Sequence, residues 1–469
     1  MTVLEFPPGF LWGAATSAYQ IEGAVAAGGR GPSIWDTFCR VPGAVIGGGT
    51  GDVACDHYRR YADDVALMAD LGLPGYRFSI AWPRVQPGGS GPANSAGLAF
   101  YDRLVDTLLG RGITPMLTLY HWDLPQQLQD GGGWTVRSTA ERFATYAEIV
   151  ARCLGDRVRL WTTVNEPWCS AFLGYASGVH APGIRDHRQS LQAVHHLLLA
   201  HGLAARVLRS TLPASAQISI TLNPHQVDPA SADPVDLAAA HRIDGVANRI
   251  FLDPLFHGRY PDDVLASTAH LTDWSFVRDG DLDLIAVPID ALGVNYYTPV
   301  TVSGRATGPE AADPAEEKHG GVSAFPGCDG LRMIKQPGRR TDMDWLIDPA
   351  GLTRLLVRLS GDLPGVPLFV TENGAAYHAP PGANGGRIRD EARIEYLRGH
   401  ISAVHDAIRA GADVRGYFVW SLLDNFEWAW GYSQRFGLVY VDYETGERIP
   451  KQSATWLRDL IEANGLPTA

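Results

Sequence analysis

Lysine is nearly missing from this sequence: of 469 residues only Lys318, Lys335 and Lys451 carry an ε-amine. None of the three ends an apolar strand-like run, which argues against the imine chemistry of a Schiff-base barrel aldolase. Cysteine is scarce too. Cys39, Cys55, Cys153, Cys169 and Cys328 are odd in number, scattered and without CxxC spacing, so a disulfide framework or a zinc site is not expected, and a reducing cytoplasm is. No run is long and apolar enough for a membrane-spanning helix. The opening MTVLEFPPGFLWG has neither the basic nor the apolar segment of a secretory signal. No GxGxxG follows the first strand-like run, which weakens an open dinucleotide-binding sheet. Positive charge is outweighed, 39 Lys and Arg against 51 Asp and Glu for a net charge of −12, which disfavours nucleic acid or an anionic membrane as partner.

What is present suits a large buried core: 45% apolar residues, with 13 Trp, 17 Tyr and 15 Phe. Residues 57–72 place Tyr58, Tyr61, Val65, Met68 and Leu71 on one helical stripe, stopped by Gly72. A strand-like YRFSIAW (76–82) follows. The same sentence repeats: a stripe of Leu98, Tyr101, Leu104, Val105 and Leu108, then ITPMLTLYHW (113–122); a helical stretch in 139–155, then VRLWTTVNEP; a long one in 189–210, then AQISITLNP (216–224). IDALGVNYYT (289–298), PLFVTENG (367–374) and VRGYFVWSLLDNFEW (414–428) complete the series that GFLWGAATSAYQ (9–20) begins. Eight strands alternating with helices predict a closed parallel (β/α)8 TIM barrel, α/β in class. No composition shift breaks the chain, so residues 1–469 are expected to form one catalytic domain. Residues 299–345, rich in Gly, Pro, Asp and Glu, show neither strand nor helix, and 41–53 and 378–390 are shorter polar excursions. Such loops are expected to extend the carboxyl-end face of the barrel.

Two of the apolar runs end in an ionisable acid. LWTTVNEPWC (160–169) carries Glu166 and PLFVTENG carries Glu372, although an unpartnered carboxylate in a buried strand costs several kcal/mol or shifts its pKa. A barrel explains both, because its active site lies at the carboxyl ends of the strands. The other unusual polar groups fall at those ends as well: Gln20, Arg77, His121, Asn165, Asn223, Asn295, Tyr297 and Glu427. Two carboxyls, aromatic walls and no metal pattern suit cleavage of a glycosidic bond. One carboxyl protonates the departing oxygen, and the other stabilises or attacks an oxocarbenium-like centre. Trp faces suit sugar rings, and amides, His and Glu suit their hydroxyls.

The strings VNEPW, VTENG, LYHWDLP, YRFSIAWPR and WSLLDNFEW, with GFLWGAATSAYQIEG near the front and FGLVYVDYETGERIPKQSA (436–454) near the end, resemble the family-1 glycoside hydrolases, the β-glucosidase and β-galactosidase group. The resemblance runs from about residue 6 to 465 in the family's order. It implies a retaining β-glucosidase of carbohydrate and cellulose breakdown, acting on terminal β-D-glucosyl residues of small-molecule glycosides, with no cofactor and no metal. Glu166 would be the general acid and then base, and Glu372 the nucleophile, their carboxyls roughly 5–5.5 Å apart. Arg77 and Tyr297 would partner the nucleophile, Asn295 would support the same centre, and Asn165 would touch the 2-hydroxyl. Gln20, His121, Glu427 and Trp428 would grip the other hydroxyls, Trp122 would line the pocket and Trp420 would floor the ring. Trp345, Trp168 and Phe436 would serve the leaving-group side.

Departures refine the expectation. Relatives that take 6-phosphorylated sugars carry Ser where this chain has Glu427, whose carboxylate would repel a phosphate. Plant thioglucosidases carry Gln where this chain has Glu166. Trp12 and Trp161 are expected in the core, Asp123 and Asp424 as loop-orienting residues, and Glu444 and Glu447 in solvent. His195, His196 and His201 lack metal-site spacing. The remaining alternatives are a β-galactosidase or β-fucosidase, a transglycosylating member, or a sugar-binding protein without turnover. Sugar preference, natural aglycone and oligomeric state are not legible in the sequence.

Overall fold

The structure, a computed structural model, describes residues 3–305, 322–378 and 388–467. Eight parallel strands close into a barrel in chain order: β1 (Leu11–Ala15), β2 (Gly75–Ser79), β3 (Thr114–Tyr120), β4 (Leu160–Asn165), β5 (Gln217–Leu222), β6 (Ala291–Asn295), β7 (Leu368–Asn373) and β8 (Val414–Trp420), with β8 pairing back onto β1. Each of the eight strand-like runs supplies one of them. The first strand is shorter than its apolar run, since Ala18–Ile21 turns helical and carries Gln20 with it.

Alternation explains how the barrel fills. Ala15, Met116, Ala291, Phe369, Phe418 and Trp420 form an apolar cluster of their own, distinct from the larger one in which the helices pack on the strands. Glycines admit its large rings: a Cβ on Gly13 would stand 2.5 Å from the Phe418 ring, and one on Gly416 would stand 2.8 Å from Phe369. The helical stripes lie where their spacing predicts. His57–Asp70 buries Val65 and Met68, Ser95–Gly110 buries Leu104, Val105 and Leu108, and Arg137–Leu154 and His187–Thr211 follow. The last starts at Asp186, whose carboxylate accepts from the Gln189 N–H at 3.1 Å, a side-chain cap on otherwise unpaired backbone donors.

The segment 299–345 departs from expectation. Val300–Ser303 pairs antiparallel with Arg332–Met333 and parallel with Val227–Pro229 in a three-stranded sheet outside the barrel. The β-branched VTVS is too short to stand out among glycines and prolines, and its end is fixed by Asp236, which accepts from Ser303 Oγ at 2.6 Å and the Gly304 N–H at 3.1 Å. Residues 306–321 of that segment, and 379–387 of the 378–390 excursion, lie outside the described residues. Among the described residues no helix is long and apolar enough to cross a membrane.

Candidate active site

β4 and β7 deliver their acids to one hollow. Glu166 follows β4 directly; its N–H bonds to Thr221 O on β5 at 2.9 Å, and its backbone is left-handed, φ 45°. Trp122 (φ 75°) and Trp428 (φ 47°) share that sparsely populated conformation at the same mouth, the kind of strain that collects at functional sites. Glu372 is the penultimate residue of β7, in register with Asn295 of β6. Gly374 follows because a Cβ there would stand 1.8 Å from Trp420 O.

One hydrogen-bonded chain joins the two carboxyls. Arg77 Nη1 donates to Glu372 Oε1 at 2.5 Å, and Tyr297 Oη donates to Glu372 Oε2 at 2.7 Å. The other arm of Arg77 donates to Asn165 Oδ1 at 2.6 Å, and Asn295 Nδ2 donates to that same oxygen at 3.2 Å and to Glu166 Oε1 at 2.6 Å. Thr371 Oγ1 donates to Asn295 Oδ1 at 2.7 Å, which fixes the Asn295 amide with its N–H₂ toward the acid. The Asn165 amide nitrogen in turn faces His121 Nε2 at 3.2 Å.

The two carboxyls have different electrostatic surroundings. Burial, then the negative charge of Glu372, pushes Glu166 up to about 7. Glu372, by contrast, touches a guanidinium and a phenol. Burial, with the charges of Glu372 and Glu166 behind it, pushes Glu427 up to about 8. A second feature bears on the exclusion of a sugar phosphate. The cationic side chains lining the cavity are Lys335 and Arg340; Lys335 is paired with Asp344 at 2.5 Å, and Arg340 is turned onto the Asp344 and Gln336 carbonyls at 2.6 Å each.

The cavity holds about 420 Å³, ample for a disaccharide-sized ligand. Its wall includes Glu166, Glu372, Asn295, Tyr297, His121, Trp122, Trp420, Glu427 and Trp428, together with Trp168, Trp345 and Phe436. The His121 ring stacks near those of Trp420 and Trp428, centroids 5.8 and 6.0 Å away. Trp345 packs on Tyr297 at 5.3 Å and near Phe436 at 6.0 Å; Trp168 packs on His225 and Phe325. Arg77, Asn165 and Gln20 stand behind this wall. Gln20 donates to Phe426 O at 2.8 Å and to Glu427 Oε2 at 3.4 Å.

Other sequence expectations meet mixed outcomes. Trp12 and Trp161 are core residues. Asp424 orients its loop, accepting from Lys451 Nζ at 2.7 Å, Arg435 Nη1 at 2.8 Å and the Gly437 N–H at 2.9 Å. Asp123 is buried, its carboxyl oxygens find no partner among the described residues beyond its own N–H, and burial pushes it up to about 8. His195 bonds Tyr260 and Asp281, His196 the Trp134 carbonyl, and His201 the Thr163 hydroxyl. Glu444 and Glu447 are exposed. Among the wall residues that the sequence does not single out, Phe325 comes from the aperiodic segment, and Cys169 sits one turn beyond Glu166.

Residues 3–466 match the family described as glycosyl hydrolase family 1. A bifunctional β-D-glucosidase/β-D-fucosidase of Bifidobacterium breve is 51% identical, over 98% of this chain and 99% of its own length. The thermostable β-glucosidase B of Thermobispora bispora is 54% identical, over 99% and 92%. Among solved structures, the psychrophilic β-glucosidase of Micrococcus antarcticus superposes with a TM-score of 0.95 at 48% identity, over 99% of this chain and 100% of that one.

Proposed function

Because this chain belongs to glycosyl hydrolase family 1, we propose that the barrel mouth is the active site of a retaining β-glucosidase with Glu372 as nucleophile and Glu166 as acid and base. The protein is an O-glycosyl hydrolase. Its substrates are terminal β-D-glucosyl residues of small glycosides and β-linked oligosaccharides, with β-D-fucosides second, as the named relatives suggest. The whole chain serves as one catalytic unit in a reducing, cytoplasmic setting, which its five free cysteines favour.

One observation carries the assignment. Glu372 is clasped by Arg77 and Tyr297, while Glu166 faces the same cavity with its proton held by burial and by the charge of Glu372. Separated protonation states are what two carboxyls need to divide nucleophilic and acid roles. Glu372 attacks the anomeric carbon as the Glu166 proton passes to the departing oxygen, leaving a glycosyl ester on Glu372 and a carboxylate on Glu166. The total charge of the pair is unchanged, so Arg77, tied to one acid directly and to the other through Asn165 and Asn295, balances it throughout. Esterification removes the Glu372 charge that helped hold the Glu166 proton. Glu166 is then free to take a proton from water, which attacks the anomeric carbon and releases the sugar with retention.

Around this centre His121, Glu427 and Trp428 take the sugar's hydroxyls, with Asn165 holding His121 and Gln20 holding Glu427 from behind the wall. Trp122 and Trp420 bracket the ring, and Trp345, Trp168 and Phe436 receive the aglycone. With its pKa raised by burial, the Glu427 carboxyl can donate as well as accept, which suits an unphosphorylated 6-hydroxyl. Incubation with a 2-deoxy-2-fluoroglucoside bearing an activated leaving group tests the core assignment. The label belongs on the peptide containing Glu372; a label elsewhere, or an inverted hydrolysis product by NMR, refutes it.

A further inference from the structure

Glu166 has two oxygens with different partners. Oε1 accepts the N–H of Asn295, whereas Oε2 lies 3.1 Å from Cys169 Sγ, and that sulfur receives the amide N–H of Asn223 at 3.6 Å. Cys169 is buried, lines the cavity, and takes no part in the steps above. Resting on the acid/base role of Glu166, we propose that Cys169 is a positioning residue: its thiol fixes which oxygen of Glu166 carries the transferable proton and keeps that oxygen available to the leaving group.

Donor and acceptor chemistry leads there. The Asn295 amide, oriented by Thr371, always presents an N–H to Oε1. That oxygen is thereby the carbonyl oxygen of the protonated acid, and the proton resides on Oε2. A thiol is both a weak donor and a weak acceptor. It accepts from Oε2–H while Glu166 is an acid and donates S–H to Oε2 once Glu166 is a carboxylate. The Asn223 N–H occupies a sulfur lone pair, which leaves the S–H for Glu166. Weakness is the useful property: an O–H···S bond yields to a glycosidic oxygen, whereas a hydroxyl at this place would compete with the substrate and favour the carboxylate. The charged and titratable groups facing Glu166 are Glu372 from the end of β7, Arg77 from β2, Tyr297 after β6 and Glu427 after β8, besides Cys169 itself. All but Cys169 are unchanged in the variants below.

The test is the pH profile of kcat/KM on methyl β-D-glucoside, whose poor leaving group needs the proton, in wild type, Cys169→Ser, Cys169→Ala and Glu166→Gln. Replacing S–H by the stronger O–H donor moves the alkaline limb to lower pH, and removing the donor moves it to higher pH, each by roughly half a unit or more. A limb that stays in place, or moves the same way in both variants, overturns the proposal. Glu166→Gln separates the two layers. If it keeps the alkaline limb, the acid role itself fails; if it loses the limb while the Cys169 variants leave it unmoved, only the thiol's role fails. Infrared spectroscopy needs no folded Cys169 variant: a wild-type S–H stretching band shifts across the limb and is static in Glu166→Gln, and a band indifferent to pH overturns the proposal.

Discussion

Arg77 Nη1 and Glu372 Oε1 lie 2.5 Å apart with side chains 1% and 5% exposed, a charged pair almost wholly withdrawn from water. Such a pair depends on hydrogen bonds to its remaining groups. Tyr297 satisfies the second oxygen of Glu372 and Asn165 takes the second arm of Arg77, while Arg77 Nε has no hydrogen-bond partner among the described residues. On the proposed assignment, the strand ends preassemble the charge that attack on an anomeric carbon requires.

Glu372→Gln tests that assembly at its centre. The amide keeps size and planarity but cannot form the ester, so kcat should fall by several orders of magnitude while circular dichroism is unchanged. Activity within about tenfold of wild type would remove Glu372 from the nucleophile's place.

Glu166→Ala should divide substrates by leaving group. Glycosyl-enzyme formation from a dinitrophenyl glucoside should be nearly spared, because its leaving group departs without protonation, whereas methyl glucoside or cellobiose should lose at least about 10²-fold. Presteady-state kinetics isolates that step. An equal loss on both would contradict the acid assignment.

The raised Glu166 also has a consequence for stability. Its ordinary value of 4.5 becomes about 7 in the folded protein, so the folded state binds the proton more tightly than the unfolded state does. Stability from this group is complete below the ordinary value and is lost as pH rises toward 7, in total about 3 kcal/mol. Gln cannot ionise. Glu166→Gln should therefore gain on wild type by roughly 2–3 kcal/mol between pH 4 and pH 8 in denaturant titrations, and kcat/KM of the wild type should fall through pH 7 on its alkaline side. A variant whose stability tracks wild type across that range would show that the carboxyl is not held protonated.

How far the sequence carries is visible at individual positions. Glu166 and Glu372 were legible because each interrupts an apolar strand, and only a strand-end site reconciles the two. Arg77 and Tyr297 were legible through the motifs around them. The raised pKa of Glu427 was not, since it follows from burial beside two other carboxyls, and neither was the engagement of the lining cations Lys335 and Arg340 by Asp344 and backbone carbonyls. Asn165 ends β4, Arg77 lies within β2 and Gln20 follows β1 in the helix Ala18–Ile21, but whether a side chain lines the wall or stands behind it depends on packing that no periodicity encodes. The small outer sheet and Phe325 were hidden for a plainer reason: short β-branched pieces among glycines and prolines carry no pattern long enough to read.

Glu427→Ser should raise KM for glucosides about tenfold or more, since a buried hydroxyl of the sugar loses its partner. It should bring no turnover of 6-phosphoglucosides, because the lining cations remain engaged by Asp344 and backbone carbonyls. Steady-state kinetics on the two substrates decides it. Unchanged KM would mean that Glu427 does not meet the sugar, and gained hydrolysis of the phosphorylated glucoside would show that the Glu427 carboxyl itself is what excludes it.

Lys451→Met probes how the wall is held rather than what it does. Lys451 follows the short strand Arg448–Pro450 and places Nζ 2.7 Å from Asp424 Oδ1, both side chains fully buried. Asp424 lies three residues before Glu427 and four before Trp428, so this ion pair ties the loop bearing two proposed sugar contacts to the outer hairpin. Burial draws the lysine down to about 8, which marks the desolvation that the pair must offset. Met fills the volume and removes the charge, leaving Asp424 to Arg435 and the Gly437 N–H. Breaking one partner of a buried pair costs about 3 kcal/mol or more, to be read as a lowered denaturation midpoint, and a loosened loop should raise KM more than it lowers kcat. A midpoint equal to wild type would show that Arg435 alone satisfies Asp424; a loss confined to kcat would place Lys451 closer to the chemistry than its position behind Asp424 allows.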